Sequence, residues 1–327
     1  MADVNRRFLL KVAGAAAGFY IIGGRKTARP FASEAAASTN AKGVSAESTG
    51  SASTAPTASL KGKVSVARGD DPYKNTIKAI ALLGGMKTFV KPGAKVVVKP
   101  NIGWNRVPTA CATTNPDVVK AIVEECVKAG AAKVEVYDRP CEDPRRCYAR
   151  SGIEKAAKDA GATVRFIEDY EYVDTEIPQG VILKKWPVVE GILKADAVIN
   201  VPIAKDHDSA TLTMAVKNLM GVMGGERGEI HTNMGQKLAD FATRVVPTLN
   251  VLDANSILVA HGPQGGSPQD IKSPHMVIAG VEAVTVDAYA AANLPWNIAP
   301  GRKVDYLDAA RGLGIGTVDP SVIRVIE

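Results

Sequence analysis

Residues 95–137 read KVVVKPNIGWNRVPTACATTNPDVVKAIVEECVKAGAAKVEVY, and the fold class follows from this segment. It opens and closes with short valine-rich runs, Lys95–Lys99 and Lys133–Tyr137, which are typical of buried strands. Between them, Pro116–Lys128 has apolar residues at helical spacing, and Asn115 is placed to cap that helix. A strand, a helix and a strand in this order predict a parallel sheet whose strands are joined by crossover helices.

The same alternation continues to the end of the chain. Further strands are predicted at Thr163–Ile167, Ala197–Val201, Leu249–Asp253, His275–Ala279 and Val322–Ile326. Further helices are predicted at Ile153–Asp159, Ser209–Met220, Gln236–Val245, Val281–Asn293 and Val304–Gly312. We therefore predict an α/β fold with a mostly parallel sheet and helices on both faces. Ligands of such folds bind beyond the carboxyl ends of the strands, so functional residues are sought in the loops at that edge.

The positive charge of the chain lies mainly in its first 37 residues. The 327 residues contain 40 Lys and Arg against 34 Asp and Glu, a net charge of +6. Residues 1–37 hold six of the basic and two of the acidic side chains, so the other 290 residues carry 34 basic and 32 acidic groups. Aromatic residues make up 5% of the chain. A nearly neutral body with few aromatic residues excludes the class of proteins that bind nucleic acid through a basic surface or by stacking on bases.

Residues 1–37 resemble a twin-arginine signal peptide. The pair Arg6-Arg7 precedes an uncharged run of 13 residues, Val12–Gly24, and further basic residues follow it. This run is shorter than the roughly 20 residues that a membrane-spanning helix needs. We expect export by the twin-arginine machinery to the periplasm or another extracytoplasmic space, cleavage after Ala37, and membrane contact through this segment alone. An ordinary secretory signal and a buried helix are the alternatives.

Residues 38–60 are predicted to form a flexible linker. Of the 28 residues from Ser33 to Leu60, 21 are Ala, Ser, Thr or Gly. Such a composition buries too little apolar surface to offset the entropy lost on ordering. Residues 61–327 are then a single α/β body.

The loop after the first predicted strand has the features of an anion site. Lys99-Pro100-Asn101 ends the strand, and Cys111–Asn115 leads into the N-terminus of a helix, where unpaired N–H groups favour negative charge. We predict that Lys99, Asn101, Thr113 and Thr114 bind substrate; the alternative is that Thr114 or Asn115 only caps the helix. The sequence has no P-loop and no Gly-x-Gly-x-x-Gly after a strand, which disfavours the ordinary nucleotide-binding classes.

A second group of chemically active side chains follows the strand at Ala197–Val201. Lys205 and His207 lie here with Asp206 and Asp208. An imidazole can bind a metal ion or transfer a proton, and a neighbouring carboxylate can fix its tautomer. The alternative is a pair of His and Asp on the surface.

The predicted helix Ser209–Met220 and the glycine-rich loop behind it complete the candidate site. Lys217 lies between apolar neighbours, so its side chain either extends along a half-buried surface or points into the site with a lowered pKa. His207 and His231 bracket this helix and loop, which allows both to face one crevice. We predict Lys205, His207, Lys217 and His231 as catalytic residues, Asn218 as a substrate ligand, and the two histidines as the metal ligands if a metal ion is bound.

The four cysteines suggest two further possibilities. Cys126 falls inside a predicted helix and is interpreted as a core residue. Cys141 and Cys147 are spaced for a local disulfide in an exported protein. Alternatively, both join Cys111 around a metal ion or an iron–sulfur cluster.

These segments together resemble an uncharacterised family, domain of unknown function 362. The matching pieces are Val97–Asn101, Thr113–Pro116, Ser151–Ile153, Ile199–Pro202, Lys205, His207, Lys217–Leu219, Gly221, His231, Asp253, Gly262-Pro263 and Val286-Asp287. Some members of this family resemble iron–sulfur proteins because they carry an appended ferredoxin-like domain, which implies a metal ion or iron–sulfur cluster as the cofactor hypothesis. A more distant similarity of fold is to the lactate racemases, whose nickel cofactor is attached through a lysine; Lys217 and His231 are the residues to compare.

The sequence favours an exported enzyme that acts on a small anionic organic substrate. Three lysines would supply positive charge, and the two histidines would act as acid and base or as metal ligands. A reaction at the carbon next to a carboxylate, or a redox step at a metal centre inserted before export, would use such a set. The alternative is a non-catalytic periplasmic protein that binds an anion or assembles a cofactor.

Overall fold

A computed structural model describes residues 55–327. The predicted signal peptide, residues 1–37, and most of the predicted linker, residues 38–60, lie outside the described residues. The first described element is a helical turn, α1 (Ala55–Ala58), and a short loop leads from it to the first strand.

The described chain alternates strands and helices. The strands are β1 (Lys63–Arg68), β2 (Lys95–Pro100), β3 (Lys133–Val136), β4 (Thr163–Val164), β5 (Tyr172–Glu176), β6 (Lys185–Val189), β7 (Ala197–Val201), β8 (Ile203–His207), β9 (Thr211–Thr213), β10 (Leu249–Leu258), β11 (Ile271–Lys272), β12 (Met276–Gly280) and β13 (Arg324–Ile326). The helices that follow α1 are α2 (Pro72–Leu82), α3 (Pro116–Lys128), α4 (Pro144–Arg150), α5 (Ile153–Asp159), α6 (Glu190–Lys194), α7 (Ala215–Asn218), α8 (Met234–Ala242), α9 (Ala283–Asn293) and α10 (Asp305–Leu313).

Eleven strands form one mixed sheet in the order β13-β1-β12-β10-β7-β2-β3-β4. The run β10-β7-β2-β3-β4 is parallel throughout, whereas β12 is antiparallel to both of its neighbours. At one end of the sheet β8 continues alongside β10 and pairs with β9, and β11 pairs with β10. The remaining strands, β5 and β6, form a separate hairpin. The fold-class prediction is confirmed.

Helices cover both faces of the sheet because its strands are apolar on both sides. In β2, Val97 belongs to one hydrophobic core, while its neighbours Val96 and Val98 belong to the other. Helices α2, α3 and α5 pack over the Val96 side, and α7, α8, α9 and α10 pack over the Val97 side. A sheet buried on both faces requires the nearly continuous apolar strands seen in the sequence.

Most of the predicted elements are confirmed. The strand Ala197–Val201 and the helices Pro116–Lys128 and Ile153–Asp159 have the predicted bounds. Two strands differ by three residues or more: the one predicted at Thr163–Ile167 ends at Val164, and the one predicted at Leu249–Asp253 continues to Leu258.

The helix predicted at Ser209–Met220 is wrong in its first half. Thr211–Thr213 is instead strand β9, which pairs with Lys205–His207 in a hairpin. Helix α7 begins only at Ala215, where the buried carboxylate of Asp287 accepts hydrogen bonds from Ala215 N at 2.7 Å and Val216 N at 2.9 Å. Two consecutive hydrogen bonds from a distant part of the chain therefore fix the start of the helix that carries Lys217.

Within residues 55–327, every helix is too short or too polar to cross a lipid bilayer.

Candidate functional site

The carboxyl ends of β2, β3 and β7 bring the first candidate residues together. Lys99 is in register with Asn200, and Val98 is in register with both Val136 and Ile199. Asp138 follows two residues after Val136, so it leaves the sheet at the same edge as Lys99. Beyond this edge lies a group that we call the lysine cluster: Lys99, Lys205, Lys217 and Asp138.

Lys99 is committed to structural contacts. Its side chain is fully buried, and Nζ lies 2.7 Å from Asp138 Oδ1. The ammonium also donates to Pro100 O at 2.9 Å and to Asn218 Oδ1 at 3.1 Å, which uses all three of its N–H groups. Lys99 therefore has no donor left for a ligand, and substrate binding by this lysine stays a prediction.

Asn218 joins the strand ends to helix α7. Its Oδ1 accepts from Lys99 Nζ and from Asn101 Nδ2, while its Nδ2 donates to Asn200 Oδ1 at 2.9 Å and to Lys99 O at 3.3 Å. All four hydrogen-bonding positions of Asn218 are occupied by described residues, so it positions the strand ends, and substrate binding by Asn218 stays a prediction. Asn101 extends the network because its Oδ1 accepts from Lys205 Nζ at 3.3 Å.

Lys205 and Lys217 hold the unused donors of the lysine cluster. Lys205 is buried and bonds to Asn101 Oδ1 and Ala112 O, which leaves one N–H. Lys217 is partly exposed and makes no hydrogen bond or ion pair with any described residue. Burial, then the charge of Lys217, lowers the pKa of Lys205 to about 7. Burial also lowers the pKa of Lys217 to about 8; Arg227 and Lys99 add to this effect, and Cys141 opposes it.

His207 is a neutral hydrogen-bond donor. Its Nδ1 accepts from Ser209 N and Ala210 N, both at 3.2 Å. Burial, followed by the charges of Lys217 and Lys205, lowers the pKa of His207 to about 3. A neutral ring whose Nδ1 faces two backbone N–H groups carries its proton on Nε2. His207 is thus held as an Nε2–H donor on the strand that also carries Lys205.

His231 does not join the buried cluster. It is exposed, in the 3₁₀ turn Arg227–His231, and its Nδ1 lies 3.2 Å from Gly228 O. It lines a cavity of about 450 Å³ with Ser209, Ala210, Asn233, Asp305 and Tyr306, a cavity that none of the three lysines lines. The charge of His231 still contributes to the lowered pKa of His207, so the two rings lie on neighbouring parts of the molecule.

The two threonines predicted to bind substrate differ in the structure. Thr114 Oγ1 donates to Val201 O at 2.7 Å and accepts from Asn101 N at 2.9 Å, so its hydroxyl ties the loop to β7, and substrate binding by Thr114 stays a prediction. Thr113 is buried, its hydroxyl has no hydrogen-bond partner among the described residues, and it lines a cavity of about 250 Å³ beside Cys111 and Asp253. Asn115 caps helix α3, as the alternative interpretation held.

The predicted metal ligands do not form a binding set. Within the described chain, no three His, Cys, Asp or Glu side chains come together as metal ligands. A metal ion on His207 Nε2 would move the ring proton to Nδ1. That proton would then face the two backbone N–H groups that donate hydrogen bonds to Nδ1. These residues therefore do not fit a metal ion.

The cysteines support neither a disulfide nor a cluster. All four are free thiols. Asp143 caps helix α4, and this helix buries Cys147, while Cys141 stays exposed in the preceding loop. Burial raises the pKa of Cys111 to about 12, which disfavours the thiolate that a metal would need. The predicted disulfide between Cys141 and Cys147 is wrong, because both thiols are free. Cys126 is confirmed as a core residue.

Sequence reasoning missed two charged residues of this site. Asp138 is the counter-ion of Lys99, and its signal was its position directly after a strand that neighbours β2. Arg227 adds to the positive charge around Lys99 and Lys217 while its guanidinium donates to Arg139 O and Pro140 O. Nothing in the glycine-rich loop distinguishes Arg227 from a surface residue by sequence alone.

Comparisons with known proteins place the chain in a family. The model of the family described as "Domain of unknown function (DUF362)" matches residues 96–292. A thylakoid-associated protein of Synechocystis sp. is 30% identical over 218 residues, which is 64% of this chain and 64% of that protein. The match therefore covers slightly less than two thirds of this relative's length.

Two solved structures are similar at low identity. A protein from Thermotoga maritima is 12% identical with a TM-score of 0.43, covering 76% of this chain and 60% of the other. The lactate racemase apoprotein from Thermoanaerobacterium thermosaccharolyticum is 13% identical with a TM-score of 0.36, covering 68% of this chain and 54% of the other. The family match includes the lysine cluster, His207 and His231. The chain belongs to the family Domain of unknown function (DUF362).

Proposed function

We propose that this protein is an enzyme that binds a small anionic organic substrate between Lys205 and Lys217 and reacts at the carbon next to its carboxylate. The observation that carries the proposal is the unpartnered ammonium of Lys217 within a group of cations. A bound anion stabilises an ammonium strongly in such surroundings, because the neighbouring positive charges destabilise the charged form when the site is empty.

The free hydrogen-bonding groups define the chemistry of the ligand. The site offers the three donors of Lys217, one donor of Lys205 and His207 Nε2–H. Its one carboxylate, Asp138, is already held by Lys99 Nζ and by Ile102 N at 2.6 Å. A site that presents only donors suits a carboxylate or another oxyanion.

The lowered pKa of Lys217 supports catalysis over simple binding. A lysine with a pKa of about 8 is partly neutral near physiological pH, so it can accept a proton from a substrate carbon. His207 Nε2–H would stabilise the negative charge that develops on the carboxylate, and Lys205 would add to this while it is protonated. A protein that only binds an anion gains nothing from an amine that loses its charge near neutral pH.

Removing Lys217 tests this proposal. We expect Lys217→Met to weaken binding of 2-hydroxybutanoate by about ten- to a hundredfold, since a hydrogen bond to a charged group contributes about 1.5–3 kcal/mol. Titration calorimetry on the full chain measures the affinity, and loss of deuterium from the substrate's α-carbon, followed by NMR, measures proton abstraction. The exposed Lys87 provides the control, because Lys87→Met removes the same charge at a distance from the cluster.

The pH dependence of the same titration has a definite direction. The affinity is expected to fall as the pH rises through about 7 to 8, because Lys205 and Lys217 lose the charges that hold the anion. Ordinary lysines would keep their charge to about pH 10. Equal affinities for Lys217→Met and Lys87→Met, or an affinity that is constant from pH 6 to pH 9, would remove the basis of the proposal. Binding without deuterium loss would favour the non-catalytic function.

We also propose that the protein is exported by the twin-arginine route, which rests on Arg6-Arg7 and the apolar run behind them. The double substitution Arg6→Lys and Arg7→Lys preserves the charge, yet it is expected to leave the protein in the cytoplasm, because the route requires the arginine pair. Arg25→Lys is the matched control and should be exported normally. Immunoblots of periplasmic and cytoplasmic fractions give the result, and normal export of the double variant would refute the twin-arginine assignment.

A further inference from the structure

We infer that Lys217 Nζ is a nucleophile that forms a Schiff base with a 2-oxo carboxylate held in the lysine cluster. This inference rests on the proposed function, because it uses the same anion site. It adds a substrate class and a covalent step. Both follow from differences in the hydrogen bonds and ion pairs that the three lysines make.

Of the three lysines, only Lys217 makes no hydrogen bond or ion pair with a described residue, so its lone pair is available to a substrate when the amine is neutral. Lys99 is held by its ion pair with Asp138 and by two further acceptors. Lys205 is tied to Asn101 Oδ1 and Ala112 O. Lys217 has no such partner, so its deprotonation costs the protein no ion pair and no hydrogen bond.

The backbone beneath Lys217 is held rigidly. Asp287 accepts hydrogen bonds from Ala215 N and Val216 N at one end of helix α7, and Asn218 makes four hydrogen bonds at the other. The lysine lies between these two anchors. Lys217 is partly exposed to solvent, whereas Lys99 and Lys205 are buried.

The neighbouring donors suit a substrate with a carboxylate beside the carbonyl. The spare N–H of Lys205 and His207 Nε2–H are available to the carboxylate oxygens. After burial, the charges of Lys217 and then Lys205 are the largest causes of the lowered pKa of His207. A carboxylate bound by these groups would present its 2-oxo carbon to Lys217 Nζ.

The covalent step balances without any other reactant. The lone pair of neutral Lys217 Nζ attacks the carbonyl carbon, a C–N bond forms as the C=O π bond opens, and one proton passes from Nζ to the former carbonyl oxygen. The resulting carbinolamine takes up one further proton and loses water as the C=N double bond forms, which leaves a protonated imine. The carbonyl carbon and the imine carbon have the same oxidation level, so the step needs no oxidant and no reductant.

Borohydride trapping tests the inference. The full chain is incubated with 2-oxobutanoate and sodium borohydride, which delivers hydride to the imine carbon and converts it to a stable secondary amine. Intact-mass and peptide-mass spectrometry are expected to find one reduced adduct, on Lys217. Lys217→Arg is expected to keep the positive charge and to lose the adduct, and Lys87→Met should be modified as the wild type is.

The outcomes separate this inference from the proposed function. Calorimetry with 2-hydroxybutanoate measures anion binding without imine formation, because this acid has the same carbon skeleton but no ketone group. If that acid and 2-oxobutanoate both bind and Lys217 carries no adduct, the Schiff base is excluded and the anion site stands. An adduct of equal yield in Lys217→Arg also excludes it. If neither acid binds, the proposed function and this inference fail together.

Discussion

Asp138→Asn is expected to lower the free energy of unfolding by about 3–5 kcal/mol, the cost of leaving a buried ion without its partner. Lys99 is fully buried, and its Nζ lies 2.7 Å from Asp138 Oδ1, an oxygen with no other partner. Burial lowers the pKa of Lys99, and the charge of Asp138 opposes that effect. Asparagine has the same shape, and its amide oxygen can still accept from Ile102 N. Its NH₂ group then faces the ammonium of Lys99, donor against donor.

An exposed ion pair of similar length is the control for this variant. Asp174 Oδ2 lies 3.0 Å from Lys185 Nζ, but both side chains are at least half exposed, so Asp174→Asn is expected to cost no more than about 1 kcal/mol. Urea unfolding of both variants measures the difference. The double variant Lys99→Met and Asp138→Asn is expected to be more stable than Asp138→Asn alone, because it removes the unpaired charge. If Asp138→Asn and Asp174→Asn lower the free energy of unfolding by the same amount, the ion pair with Asp138 is not what allows Lys99 to be buried.

Lys99 shows which part of the site could be predicted from the sequence and which part could not: its position could be predicted, and its counter-ion could not. A lysine at the end of a valine-rich strand was correctly placed at the carboxyl edge of the sheet. Its sequence neighbourhood contains no acid within reach, and the counter-ion, Asp138, lies in the loop after β3, nearly forty residues later in the chain. Whether a lysine binds substrate or is neutralised depends on that tertiary pairing, which no local spacing contains.

Local patterns also failed where a distant side chain decides the secondary structure. Thr211–Thr213 fits the helical spacing of Ser209–Met220, but its β-branched residues pair with Lys205–His207 in a hairpin. Asp287 then starts helix α7 at Ala215 from about seventy residues away. Because of this hairpin Lys205 and His207 lie on a strand instead of a loop. The same hairpin holds His207 Nδ1 against the backbone, which decides that the ring is a donor and not a metal ligand.

Gly221→Ala is the second substitution expected to have a large effect, because the backbone at Gly221 lies directly against the Lys99–Asp138 ion pair. A Cβ atom at this position would lie 1.7 Å from Asp138 Oδ1 and 2.6 Å from Lys99 Nζ. Neither neighbour is the free end of a flexible side chain, since Asp138 also holds Ile102 N and Lys99 also holds Pro100 O. The ion pair must open or the turn Leu219–Val222 must move, and Gly221 O would then lose its hydrogen bond from Arg139 N. We expect a loss of about 3 kcal/mol or more in the free energy of unfolding.

Gly228→Ala is the matched control, because nothing lies within 4 Å of a Cβ atom there and its backbone is not left-handed. It should change the urea midpoint little or raise it slightly, since alanine restricts the unfolded chain. The decisive measurement is Gly221→Ala combined with Asp138→Ala, which removes the carboxylate that the new methyl group would meet. If the clash is with Asp138, the two substitutions together cost less than the sum of each alone. Strict additivity would mean that glycine is required at position 221 for a reason other than contact with the ion pair, and the link between this glycine and the lysine cluster would be lost.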